Sequence, residues 1–182
     1  AFPSGVSNVL IGDNAGNATT TGARNIDIGT DAGYTNVSGT DNTFIGYYAG
    51  RQTRGSGHTS IGANSGGSGA LQDTNYSTAV GYYALSVNRA QNTAVGAFAG
   101  ISLTFGANNT LMGAYNSYST TTSTKANNNS LFGAYSGYKN LDGSNNTYVG
   151  TFSGYNASQG GGNVFLGYGA GGQEIGSNKL YI

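Results

Sequence analysis

The chain has 182 residues, 33 of them glycine and one proline, and its seven Lys and Arg balance seven Asp and Glu to a formal net charge of zero. Cysteine is absent, which excludes disulfide staples and thiolate metal sites. The basic residues are scattered from Arg24 to Lys179 without a run, which excludes the clustered cations of a phosphate-tracking nucleic-acid surface, and no apolar stretch approaches a membrane-spanning length.

Leu, Ile, Val and Phe together make up less than a fifth of the chain. That poverty is one half of the disorder signature; the other half, a large net charge, is missing. Tyr and Phe, at 14 and 7 copies, are also too many for a disordered linker. Composition therefore leaves a low-complexity tail or a repeat fold with a thin core, and periodicity decides. The chain shows no signal peptide and does not begin with Met, so it reads as a processed product or an excerpt.

A repeat runs the length of the chain: Asn-Thr-apolar-apolar-Gly, then an aromatic, a small residue and often Gly. In chain order the anchor glycines are Gly12, Gly29, Gly46, Gly62, Gly81, Gly96, Gly113, Gly133, Gly150 and Gly167. Their spacings are 17, 17, 16, 19, 15, 17, 20, 17 and 17 residues. The copies from Asn8, Asn25, His58 and Ser77 are weaker; those from Asn42, Asn92, Asn109, Asn129, Asn146 and Asn163 are clear.

A unit of about 17 residues is too short for two packed helices, because helical repeats need about 33 or more. It predicts one coil of a parallel β-solenoid, with two short strands and two turns. The residue before each anchor is always apolar, as at Ile45, Val95 and Val149, and the residue two earlier is Thr, Ser, Val or Ile. These positions share one strand face. The residue between them ranges from Asp27 and Ser60 to Phe165, which predicts a face that is not always buried. The anchors themselves (Gly46, Gly96 and Gly150 in the clearest copies) are expected to permit a turn or a close backbone approach. The aromatic and the small residue after them, as in Tyr48-Ala49 and Phe152-Ser153, are expected to form a second strand or corner.

One coil with one or two inward apolar residues cannot fold alone. Stacking lays like over like, about 4.8 Å apart, with shared backbone hydrogen bonds, and the recurrent Asn before the strand can form an amide ladder. The remaining deficit predicts association with further copies of the chain. The expectation is therefore an all-β protein, one solenoid domain over 1–182 of about ten short coils, with 172–182 as a capping or exit segment.

Chemistry is sparse. His58 stands where Asn stands in other copies and reads as a turn filler, and Glu174 is the single glutamate. The six Asp are dispersed, so neither a Ser-His-Asp set nor paired carboxylates recur. No Lys-Ser/Thr follows Gly160-Gly161-Gly162, so this is not a phosphate loop. Asp13, Asp31 and Asp41 read as isolated surface residues. No catalytic residue, metal site or cofactor is expected. Tyr47, Tyr82, Tyr118, Tyr138 and Tyr155 could stack on sugars, since tyrosine pairs an apolar face with a polar tip; the alternative is that they fill a corner or an interface. The longest insertions, Gly66 to Asn75 and Ser117 to Asn128, are candidate binding loops.

The copy Asn92-Thr93-Ala94-Val95-Gly96 resembles the head repeats of trimeric autotransporter adhesins. Asn42-Thr43-Phe44-Ile45-Gly46-Tyr47-Tyr48-Ala49-Gly50 and the Ser177–Ile182 element resemble, more closely, repeats of phage tail fibres and related bacterial surface proteins. The resemblance covers nearly the whole chain from Asn8. It implies a left-handed β-roll, a homotrimer, and an extracellular place on a virion tail fibre or cell surface. It also implies a non-enzymatic role in attachment, with a cell-surface glycan or receptor as partner and without membrane insertion. A purely structural shaft or filament is the alternative. An ice-binding solenoid is disfavoured on the expectation that the bulky middle residue interrupts a flat Thr-x-Thr array.

Overall fold

The computed structural model describes residues 7–67, 75–87, 91–103, 105–118, 125–140 and 142–182. These contain eleven short strands and no helix. In chain order the strands are β1 (Val9–Ile11), β2 (Ile26–Ile28), β3 (Thr43–Ile45), β4 (Thr59–Ile61), β5 (Thr78–Val80), β6 (Asn92–Val95), β7 (Asn109–Met112), β8 (Ser130–Phe132), β9 (Thr147–Val149), β10 (Val164–Leu166) and β11 (Leu180–Tyr181). They form one sheet in sequence order, every pair parallel. The register repeats from coil to coil: Thr43 pairs with Thr59, Phe44 with Ser60 and Ile45 with Ile61. The protein is an all-β parallel β-solenoid of about nine coils.

Two expectations need correction. Each coil holds one strand in the sheet, not two. After the anchor glycine the chain turns, because the second residue on lies at positive φ, as at Tyr48 (58°), Tyr115 (54°) and Phe152 (59°), which ends any extended run. The turn backbones still bond between coils, with Tyr115 N–H donating to Ala97 O at 2.9 Å and Tyr135 N–H to Ala114 O at 2.9 Å.

The second correction concerns the strand faces. The variable middle residue is the core: Asp27, Phe44, Ser60, Ala79, Ala94, Leu111, Leu131, Tyr148 and Phe165 are all buried. The regular apolar column before the glycines faces outward, with Ile11, Met112 and Val149 exposed and Ile45 and Val95 half-buried. In some coils a second position compensates volume, and in others a neighbouring coil does, as Leu85 lies against Gly100 beside the small Ala94. Gly50 lies against the Phe44 ring, and Gly154 against the Tyr148 ring. Where the middle residue shrinks to Ala79, the position equivalent to Gly50 becomes the wholly buried Leu85. Close packing is thus kept by exchanging bulk between strand and turn or between coils. The small residues Ala49, Ala84, Ala99, Ser136 and Ser153 face inward at the corner, as expected.

The anchors serve both expected purposes. Gly96 has φ +140°, and a Cβ there would lie 2.5 Å from the Gly113 carbonyl oxygen of the next coil.

A buried amide ladder runs along one corner. Asn42 N–H donates to Asn25 Oδ1 at 3.0 Å, Asn109 N–H to Asn92 Oδ1 at 2.9 Å, Asn129 N–H to Asn109 Oδ1 at 2.9 Å, and Asn146 and Asn163 continue it at 2.9 Å. Each Nδ2 donates to a backbone carbonyl of the same corner, for example Asn25 to Gly39 O at 2.8 Å and Asn163 to Gly176 O at 2.9 Å. His58 takes an asparagine's place: its N–H donates to Asn42 Oδ1 at 2.8 Å, and its Nδ1 accepts Ser77 N–H at 3.3 Å. In 172–182 the ladder passes to Lys179, whose N–H donates to Asn163 Oδ1 at 2.8 Å. There Tyr181 packs on the Phe165 ring (centroids 5.3 Å apart) and donates its hydroxyl to Glu174 Oε2 at 2.7 Å.

Two outcomes are expected. Asn109→Ala orphans Asn129 N–H and one of its two Nδ2 hydrogens, the other staying on Gly143 O, and should lower stability by about 3 kcal/mol, while His58→Asn should raise it by about 1 kcal/mol, both read from denaturant unfolding. Asp27 carries two buried carboxylate oxygens without a hydrogen bond, and burial pushes its pKa up to about 7. The folded state therefore keeps a proton that the unfolded chain releases near pH 4, so the stability cost is absent below about pH 4 and complete above about pH 7. Asp27→Asn should leave stability unchanged near pH 4 and raise it by a few kcal/mol near pH 8, measured as unfolding midpoints at the two pH values.

Candidate functional site

Two surfaces stand out. The first is the outward face of the sheet. Because side chains alternate, the residues flanking each buried middle position both point outward. One column runs Val9, Ile26, Thr43, Thr59, Thr78, Thr93, Thr110, Ser130, Thr147 and Val164; the other runs from Ile11 through Ile45, Val95 and Val149 to Leu166. Neither column holds a charged residue. Hydroxyls and methyls thus recur about every 4.8 Å along the stack and about 6.6 Å across each strand. Seven large apolar residues of these columns are exposed. A face of this length with aliphatic and hydroxyl-bearing columns is more than a scatter of surface apolar residues and is a candidate interaction surface.

The second surface is aromatic. Tyr83, Phe98, Tyr115, Tyr135 and Phe152 form a column with consecutive centroids 5.8, 5.0, 5.1 and 5.2 Å apart, each pair stacked. Beside it, Tyr118, Tyr138 and Tyr155 stack at 5.4 and 4.9 Å. The two columns touch edge to face, as between Tyr115 and Tyr118 at 5.5 Å. All five rings of the first column sit at positive φ, between 54° and 59°. That backbone costs a non-glycine residue roughly 1–2 kcal/mol, close to the about 0.5–1.5 kcal/mol that a ring pair returns. The stacking thus offsets part of that cost, although the same turn also forms at Asn14, Asp31 and Asn64 without a ring. Burial among neighbouring rings pushes the Tyr138 hydroxyl pKa up.

The five tyrosines singled out in the sequence fall into two groups. Tyr118, Tyr138 and Tyr155 belong to one column and are half-buried, their ring faces against each other, so edges and hydroxyls are what they present. Tyr47 and Tyr82 are about half exposed, at 51% and 49%. Tyr47 stacks on Tyr48 at 3.9 Å and Tyr82 meets Tyr83 edge-on at 4.7 Å, which leaves each more open to a ligand. Most of the two insertions, residues 68–74 and 119–124, lies outside the described residues.

Charges gather near the first coils. Arg24 pairs with Asp41 at 2.6 Å in the open, holding that carboxyl below its usual pKa. Arg51 reaches Asp31 at 3.1 Å and lies over the Tyr48 and Tyr34 rings at 4.7 and 5.3 Å. Asp31 also accepts from Asn14 at 3.1 Å. Among the described residues no three His, Asp or Glu side chains converge as a metal site would require, and no helix is long and apolar enough to cross a membrane.

The geometry defines a class, the parallel β-solenoid with an uncharged outer sheet face and a stacked aromatic flank. Set against known proteins, the chain matches no family model, no curated protein and no solved structure.

The sequence reading missed the outward Thr column as a surface because it took the variable middle position as the face that is not always buried. A partial signal was the exchange of bulk between Phe44 with Gly50 and Ala79 with Leu85, which Ser60 with Gly66 and Ala94 with Gly100 do not follow. Tyr138→Ala should lower stability by about 2 kcal/mol, with Tyr138→Phe within about 0.5 kcal/mol of the parent, by thermal unfolding of both.

Proposed function

We propose that the chain is a non-enzymatic segment of an extracellular fibre, on a virion tail or a cell surface, that mediates attachment and assembles as a homotrimer. The observation that carries this reading is the continuous, uncharged outer sheet face. A solenoid that exposes aliphatic side chains along its whole length gains by burying them against a second copy, at about 25 cal/mol per Å² of apolar surface covered. Parallel chains in the same register lay the Ile45, Val95 and Val149 column of one copy against that of the next. Three copies around an axis bury this face and leave the turns, with Tyr47, Tyr82 and the ring columns, toward the outside. Such a fibre presents its corners to a glycan or receptor, and nothing in this role needs a catalytic group or cofactor.

A second reading draws on the same face. The bulky middle residue points inward, so it does not interrupt the outer array, and the reason for disfavouring ice binding falls away. A flat lattice of Thr hydroxyls and methyls suits ordered water if the face is free rather than covered by sister chains.

Native mass measurement separates the two. Three chain masses are expected, falling to one in the Thr93→Glu/Val95→Glu variant with its circular dichroism retained, because buried unpaired charge is not tolerated at an apolar interface. A monomeric parent whose solutions show thermal hysteresis would replace the fibre reading with the ice-binding one.

A further inference from the structure

The anchors Gly81 and Gly96 are 15 residues apart, the shortest interval in the chain. At the amide-ladder corner near this short coil the surface is notched. Tyr76, which precedes β5, stands on one side and Asn108, which precedes β7, on the other. Between them lies a cleft of about 220 Å³, lined also by Gln91, Thr93 and Thr110 over a floor of Asn92 and Asn109.

The floor is rigid and already satisfied: Asn92 Nδ2 donates to Gly106 O at 2.7 Å, and Asn109 Nδ2 donates to Asn92 Oδ1 at 2.9 Å and Ala126 O at 2.8 Å. The walls are different. The side chains of Gln91 and Asn108 make no hydrogen bond among the described residues, so two amides converge with donors and acceptors to spare, while Thr93 and Thr110 belong to the outer sheet face that the proposed trimer covers. The Asn108 backbone is held at φ 59°, and its N–H donates to Gln91 O at 2.6 Å, which couples the two amide-bearing residues. Tyr76 is 69% exposed, at φ 60°, with its ring against Gly57: a Cβ on Gly57 would lie 2.5 Å from Tyr76 Cδ1. The ring is thus braced beside the notch without being buried in it.

We propose that this notch binds a neutral saccharide, one pyranose ring at a time. The inference rests on the attachment reading and names a ligand class for it. Among the described residues no charged side chain lines the cleft, so an anionic or cationic ligand would lose hydration there without a counter-charge. A hydroxyl-rich neutral ring finds the Gln91 and Asn108 amides and can lay its apolar C–H face on Tyr76. The volume is below the about 300–1,000 Å³ of clefts that enclose drug-sized ligands, which fits a terminal sugar or side branch and not a threaded polymer.

The test uses the assembled full chain, isotope-labelled for NMR, titrated to millimolar with the methyl glycosides of galactose, glucose, mannose and N-acetylglucosamine, and with sialic acid as a charged control. Saturable shifts of the Gln91 and Asn108 side-chain amide signals by at least one neutral glycoside are expected. Tyr76→Ala should weaken that binding about tenfold, the effect of losing a ring contact worth about 1.4 kcal/mol, and Tyr76→Phe should retain it. The proposal is overturned if no glycoside moves these signals, if sialic acid moves them more strongly, or if the shifts map to Tyr118, Tyr138 and Tyr155 and survive Tyr76→Ala. Adhesion of the same protein to cells is scored in parallel. Adhesion without amide shifts removes the notch and keeps attachment, whereas shifts without adhesion keep the notch and remove attachment.

Discussion

A carboxamide shut away from water must find a partner for each donor and acceptor, and in this solenoid that requirement sets the register of the stack. Each ladder asparagine bonds the backbone N–H of the corresponding residue in the next coil and a carbonyl of the corner beside it. A slip of one residue would leave these groups unpaired in every coil at once. The backbone hydrogen bonds of a parallel sheet do not by themselves choose among registers; the buried amides do. His58 illustrates the rule, because the imidazole keeps the acceptor at the same place through Nδ1.

With register held by polar groups, the thin hydrophobic interior has less to specify. It fills a narrow tube, partly by trading volume between the strand middle and the turn, as between the Phe44 ring with Gly50 and Ala79 with Leu85, and partly by side chains of neighbouring coils, as where Leu85 and Leu111 lie against Gly100. This explains how Asp27 can occupy a core position at all: its neighbours Gly16 and Gly33 leave room for the carboxylate, and burial keeps it protonated until near neutrality. The same economy leaves the outer sheet face apolar and unused within one chain, and the proposed association draws its driving force from there. The stacked rings on the flank extend the pattern outward, since like over like at each coil places aromatic over aromatic.

Much was legible in the sequence. The 15- to 20-residue spacing of the anchor glycines, the β-branched residues before them and the recurrent Asn define a parallel stack of short coils, because only like residues stacked in register satisfy such a pattern. The ladder, the place of His58 within it, and the inward small residues at Ala49 and Ala99 were legible for the same reason. Periodicity could not say which strand face points inward. Alternation marks two faces as different without naming either, and here the regular column is the outer one. That was decided by the turn after each glycine, whose left-handed residue carries the chain back over the middle side chain and encloses it. Likewise the tyrosines were visible, but their mutual stacking, which covers the faces of Tyr138 and leaves Tyr47 and Tyr82 more open, depends on coil-to-coil distance. The notch beside Tyr76 joins residues from three successive coils, so it exists only once those coils are laid on one another.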